Sequence, residues 1–132
     1  MNGPYETITL DHVARHRRRM VMTADNGLAF LLDLERAQAL RHGDGLVLED
    51  GRIIKVMALP EALLEVRGRD AAHLVLLAWQ IGNRHLEAQI ETERIVIRRD
   101  HVISAMLSGL GAHVADIEEI FEPVAGAYGH HH

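Results

Sequence analysis

Pro60 separates two patterns that do not belong to one repeating architecture. Upstream of it, residues 20–23, 28–32 and 46–48 are brief apolar runs, punctuated by Asn26-Gly27, Gly43 to Gly45 and Asp50-Gly51. That is the pattern of short strands joined by tight turns. Asp50-Gly51, between Leu46-Val47-Leu48 and Ile53-Ile54-Lys55-Val56, reads as a two-residue hairpin turn in which both residues take positive φ, and Asn26-Gly27 reads the same way. Residues 1–60 are therefore expected to form a small β domain.

Beyond Pro60 the period lengthens. Residues 63–66 read as a strand, after which Asp70 can cap a helix bearing Leu74, Val75, Leu77, Ala78 and Ile81 at helical spacing, with Gly82 as its stop. Strands follow at 88–91 and 94–98, joined by a polar turn at Thr92-Glu93. Asp100 then caps a second helix carrying Val102, Ile103, Met106, Leu107 and Leu110 on one face, Gly111 stops it, and a last strand lies near 114–120. The order βαββαβ over residues 61–121 is the ferredoxin-like arrangement, and the class of the whole chain is α+β. Residues 122–132 carry too little apolar content for an element and are expected to form a flexible, histidine-containing tail.

Composition narrows the function. A chain of 132 residues can bury one core or two small ones. Aromatic residues make up 4% and the formal net charge is -5, a poor basis for binding nucleic acid. Cysteine is absent, so disulfides, thiolate zinc sites, iron–sulfur clusters and cysteine nucleophiles are excluded, and any metal must be held by nitrogen and oxygen. No signal-peptide pattern and no apolar run approaching the roughly 20 residues of a membrane span is present, which points to the cytoplasm and no membrane. The sequence holds no H-E-x-x-H, G-x-S-x-G or phosphate-loop motif, and Glu118-Glu119 would point to opposite faces of a strand, so an enzyme is not expected.

Histidine is in excess, with ten in all, and His73, His85, His101, His113, His130, His131 and His132 lie in the second half. Imidazole without thiolate suits nickel, zinc or copper bound reversibly. His85 follows the first helix, where, read alone, a helix-end histidine interacting with the dipole is the better explanation. Near a two-fold axis, however, one histidine becomes two facing imidazoles. His101 follows Asp100, which is itself accounted for as a cap. His130, His131 and His132 are the densest cluster and could close over a metal, although an expression tag ends in the same way. His12, His16, His42, His73 and His113 are isolated and read as structural or surface residues. The run Arg15-His16-Arg17-Arg18-Arg19 reads as a solvated turn or edge strand, with an acidic partner surface as the alternative.

Three motifs in order carry a resemblance: Ala78-Trp79-Gln80-Ile81-Gly82-Asn83-Arg84-His85, then Asp100-His101-Val102 with Met106-Leu107, then Phe121-Glu122-Pro123 leading to Gly126-Ala127-Tyr128-Gly129-His130. Together they resemble the UreE family of nickel chaperones that serve urease maturation. The resemblance implies a homodimer joined through residues 61–121, the metal-binding domain, with 1–60 as a partner- or peptide-interaction domain. It implies one metal held by His85 of both subunits, with His101 and the tail histidines as auxiliary ligands. The expected cargo is Ni(II), with Zn(II) or Cu(II) competing, handed to the urease accessory GTPase and the urease apoprotein complex. Many relatives have histidine in place of Gln80, another imidazole near Arg99 and proline in place of Glu87, so fewer peripheral metals are expected here. The alternative is a zinc-stabilised dimeric protein-interaction module with no delivery role.

Overall fold

Polar and apolar residues alternate from Thr7 to Leu10, and the first strand, β1 (Glu6–Leu10), turns Ile8 and Leu10 into a core. The computed structural model describes residues 6–36 and 38–124. The chain divides into two compact units, Met1–Leu59 and Pro60–His132.

In the first unit a single 3-10 turn (Ala14–His16) follows β1, then β2 (Arg19–Thr23), β3 (Ala29–Asp33), β4 (Gly45–Val47) and β5 (Ile53–Ala58). β1 pairs with β5 in parallel and β4 with β5 antiparallel, giving the order β1-β5-β4, while β2 and β3 form a separate antiparallel ribbon. Ile8, Leu10, Met22, Leu32, Ile54 and Val56 make the shared core.

Both expected hairpins form, but with three-residue loops. Ala24 N donates to Leu28 O (2.8 Å) and Leu48 N to Arg52 O (2.8 Å), leaving Asp25 to Gly27 and Glu49 to Gly51 as the loops. Only the glycines take positive φ, +94° at Gly27 and +88° at Gly51. This is the turn-plus-bulge solution, in which one left-handed residue suffices. Asn26 and Asp50 keep ordinary φ and accept from the N–H two residues on, at Leu28 (3.1 Å) and Arg52 (3.0 Å).

The basic run is split by its environment. Arg17, Arg18 and Arg19 are exposed, as a solvated segment would be, but Arg15 is only 2% exposed and donates from Nη1 to Leu40 O (3.2 Å). Leu40 N returns a bond to Arg15 O (2.7 Å), so this arginine ties the 3-10 turn to the 38–40 segment.

The second unit follows the expected order: β6 (Glu61–Arg67), α1 (Ala71–Asn83), β7 (Gln89–Ile90), β8 (Ile95–Arg98), α2 (His101–Gly109) and β9 (His113–Glu119). The sheet runs β7-β8-β6-β9 with every neighbour antiparallel, the ferredoxin-like arrangement. β7 is shorter than the strand expected over 88–91 because Glu91 N already donates to Arg94 O (3.0 Å), closing the turn around Thr92 and Glu93. Leu64, Val66, Ile95 and Ile97 on one sheet face pack against Leu74, Leu77, Ile81, Ile103 and Leu107 of the helices. The opposite face buries Leu63, Val96 and Phe121 together.

His73 joins the two helices. It is buried, its Nδ1 accepts from Arg69 N (2.9 Å) and its Nε2 bonds Leu110 O (2.9 Å), so the ring is neutral with its proton on Nε2. No helix among the described residues is long and apolar enough to cross a membrane.

Candidate metal centre

Asp70 starts α1 by accepting from His73 N through Oδ1 (2.7 Å). The helix runs past Gly82, which is helical and not the stop expected from its type. The left-handed residue that ends the helix is His85, at φ +59°, the one non-glycine residue with positive φ among those described. Arg84 N donates to Ile81 O (3.1 Å) and His85 N to Gly82 O (3.0 Å), satisfying carbonyls that the helix end would leave bare. A side chain in this conformation costs roughly 1–2 kcal/mol, and glycine is the usual occupant. Strain of this kind is tolerated where the side chain has another task.

The His85 side chain is exposed and lines a cleft of about 310 Å³ with Glu87, Arg98, Arg99, Asp100 and Ile103. Asp100 is the cap of α2, its Oδ1 accepting from Val102 N (2.9 Å) and Ile103 N (3.1 Å). The fold thus brings the Gly-Asn-Arg-His motif and the aspartate of the Asp-His-Val motif to one cleft. His101 is exposed on the first turn of α2 and is not among the cleft residues. His130, His131 and His132 lie outside the described residues. Among the described residues no three His, Asp or Glu side chains converge as a metal site within one chain.

The cleft wall is held from the far side of the sheet. Arg98 donates from Nε to Glu61 (2.8 Å) and from Nη1 to Glu87, two residues beyond His85. Burial weakens its charge, but the bonds to Glu61 and Glu87 more than offset this and hold it above the ordinary arginine range. Phe121, fully buried, lies under the guanidinium at 4.8 Å from the ring centroid. Glu122 N donates to the Gln89 side chain (2.8 Å) and Val124 N to Ala88 O (2.9 Å), fastening the Phe-Glu-Pro segment beside β7. Arg98, Arg99 and Glu87 were not predicted as site residues. Charged residues on a strand carry no periodic signal that separates a cleft wall from a solvated face.

Just before β8, Arg94 meets Glu119 (2.8 Å), Glu91 (3.0 Å) and Glu65 (2.9 Å). These bonds drive its pKa well above the arginine range. They also lower all three carboxylates, although for Glu65 the bond from Arg67 weighs most.

Residues 2–59 match the model of the UreE urease accessory protein N-terminal domain, and residues 61–132 that of its C-terminal domain. The chain belongs to the UreE family of urease accessory proteins. A urease accessory protein UreE of Chelativorans sp. (strain BNC1) is 66% identical over 127 residues, covering 96% of this chain and 80% of the relative. Those of Rhodopseudomonas palustris (strain HaA2) and Bradyrhizobium sp. (strain ORS 278) are 60% and 59% identical over 93% of this chain. The chain spans only 57% and 59% of their lengths. UreE proteins are accessory chaperones of urease maturation and not catalysts, in agreement with the absence of any catalytic motif from the sequence.

Proposed function

We propose that the chain is a nickel metallochaperone that works in the cytoplasm as a homodimer and delivers Ni(II) for assembly of the urease active site. The observation that carries this reading is His85 at a left-handed position that a glycine would fill with less strain. Capping requires the conformation but not the imidazole, since glycine would end the helix there with less strain.

The dimer is supported by the outer face of α1. Val75 is 70% exposed and Trp79 62%, and Leu76 stands with them on the side of the helix opposite Leu74, Leu77 and Ile81. A contiguous apolar strip of this kind is the mark of a contact surface. It runs toward Gly82, where an added Cβ would meet nothing within 4 Å of its own chain, and on to His85. A second copy seated on this strip would bring two His85 rings to one axis. In this reading Pro60–His132 is the metal-binding and dimerisation unit and Met1–Leu59 docks partners.

With one imidazole per subunit as anchor, the site is shallow. His101 and His130, His131 and His132 serve as auxiliary ligands, and docking onto the urease accessory GTPase draws them away, so nickel moves on toward the urease apoprotein complex without becoming free. Zn(II) and Cu(II) compete, since imidazole donors do not favour nickel over copper. Titration calorimetry tests the claim: one tight nickel per dimer is expected for the parent and none for His85→Ala. Equal affinity in the two proteins would overturn it. A urease-positive host lacking the protein should recover activity with added nickel, whereas indifference to nickel would favour the interaction module.

A further inference from the structure

Among the described residues, the N-terminal unit presents two strand edges without a partner strand to one cleft. In the β2–β3 ribbon, Leu34 N donates to Arg18 O (2.9 Å) and Ala24 N to Leu28 O (2.8 Å). With Arg19 opposite Asp33, this phase turns the backbone groups of Phe30 and Leu32 toward β2 and those of Leu31 and Asp33 outward. On the other sheet, Leu48 N to Arg52 O (2.8 Å) and Val56 N to Asp44 O (2.8 Å) commit Leu46 to β5 and leave Gly45 and Val47 facing out. β3 and β4 are each the end strand of their sheet. Leu31, Asp33, Gly45 and Val47 all line a cleft of about 820 Å³.

Bare edges are normally blunted by lysine, proline or a covering segment, because they invite another strand. β3 and β4 contain neither lysine nor proline. The charged residues lining the cleft are Asp33, Asp44, Glu49 and Asp50, every one of them acidic, with Asp50 already paired to Arg52 (2.8 Å) and Asp33 lying 3.8 Å from Arg18. Leu31 is half exposed and Val47 more so, offering apolar contacts between the charges.

We propose that this cleft binds an extended, basic segment of a partner protein as an added strand. Its backbone pairs with the outward groups of β4, its lysines or arginines meet the acidic rim, and alternate apolar residues contact Leu31 and Val47. The proposal rests on the reading of this unit as the one that docks partners.

The test uses the full chain and a fluorescein-labelled decapeptide of alternating lysine and valine, its glutamate–valine counterpart, and a lysine–valine version with proline at alternate positions, read by fluorescence anisotropy at low salt. The first peptide should bind at least about tenfold more tightly than either of the others, because charge and free N–H groups are both needed. Val47→Pro removes an outward N–H without breaking a bond within the sheet, so it should leave the melting temperature close to the parent value and weaken the lysine–valine peptide about tenfold. Glu49→Lys should weaken it several-fold. Equal binding of the acidic peptide, or indifference to Val47→Pro, overturns the proposal. Capture of the accessory GTPase by the same protein reads the docking role separately: GTPase bound with no peptide bound overturns the cleft alone, and neither bound overturns both.

Discussion

Arg98 lies over Phe121, with 4.8 Å between the guanidinium carbon and the ring centroid, while it grips Glu61 and Glu87. This contact connects the Phe-Glu-Pro motif, on the open face of the sheet, to the loop that displays His85. Three motifs far apart in the sequence therefore serve one cleft: one presents the imidazole, one caps the helix beside it, and one fixes the arginine that holds its wall.

Truncating Phe121 tests that connection. Phe121→Ala should cost about 3–5 kcal/mol, the usual loss for a fully buried phenylalanine. Phe121→Leu should cost about 1–2 kcal/mol and keep the fold. In the folded Leu variant Arg98 loses its ring, and nickel affinity should fall a few-fold although no ligand has been touched. Urea unfolding and titration calorimetry on the same samples check both parts.

The conformation of His85 makes a second prediction with opposite signs for stability and function. His85→Gly should be about 1 kcal/mol more stable than His85→Ala, because glycine enters the left-handed region without strain. His85→Val, β-branched, should be the least stable of the three. All three should lose tight nickel. Thermal melts that rank valine above glycine would show that the helix does not end as described.

The position of the helix end also shows where the sequence was legible and where it was not. Asp70 and Asp100 were recognisable as caps, and the two apolar helix faces gave the βαββαβ order, because capping and periodicity are local. The end of α1 was misread at Gly82 because glycine is the common left-handed residue, yet here a histidine occupies that place. β1 alternates plainly, but its parallel partner β5 lies far along the chain, and nothing in five residues names it. The hairpin loops were placed correctly but given the wrong geometry, since Asn-Gly and Asp-Gly suit both turn forms. Half of the candidate centre was legible as His85. The cleft wall of Arg98 and Glu87 was not, because it depends on which side of a sheet Phe121 covers.

Acid should act through the Arg94 cluster. The folded-state pKa values of Glu65, Glu91 and Glu119 are depressed, so these groups contribute stability above the unfolded carboxylate value of about 4.3 and lose it as pH falls through the lower folded values. Arg94→Met leaves the three carboxylates facing one another. It should cost about 2 kcal/mol at neutral pH, where charged hydrogen bonds are lost. Near pH 3 the gap to the parent should close, because protonated carboxyls no longer repel. Urea midpoints at the two pH values measure it, and a gap that is the same at both would exclude an electrostatic origin.

The last prediction concerns the outer strip of α1. Trp79→Glu places a charge beside Val75 and Leu76, at a position 62% exposed within its own chain, so the isolated fold should be unaffected and its melt little changed. A dimer seated there would have to bury that carboxylate, which is costly without a partner charge. Light scattering should then give a monomer, and nickel should weaken at least tenfold although His85 is intact, since each subunit supplies one imidazole. Trp79→Phe, which keeps the apolar surface, should restore both the dimer and the metal. If the glutamate variant stays dimeric and binds nickel like the parent, the outer strip of α1 is not the dimer face.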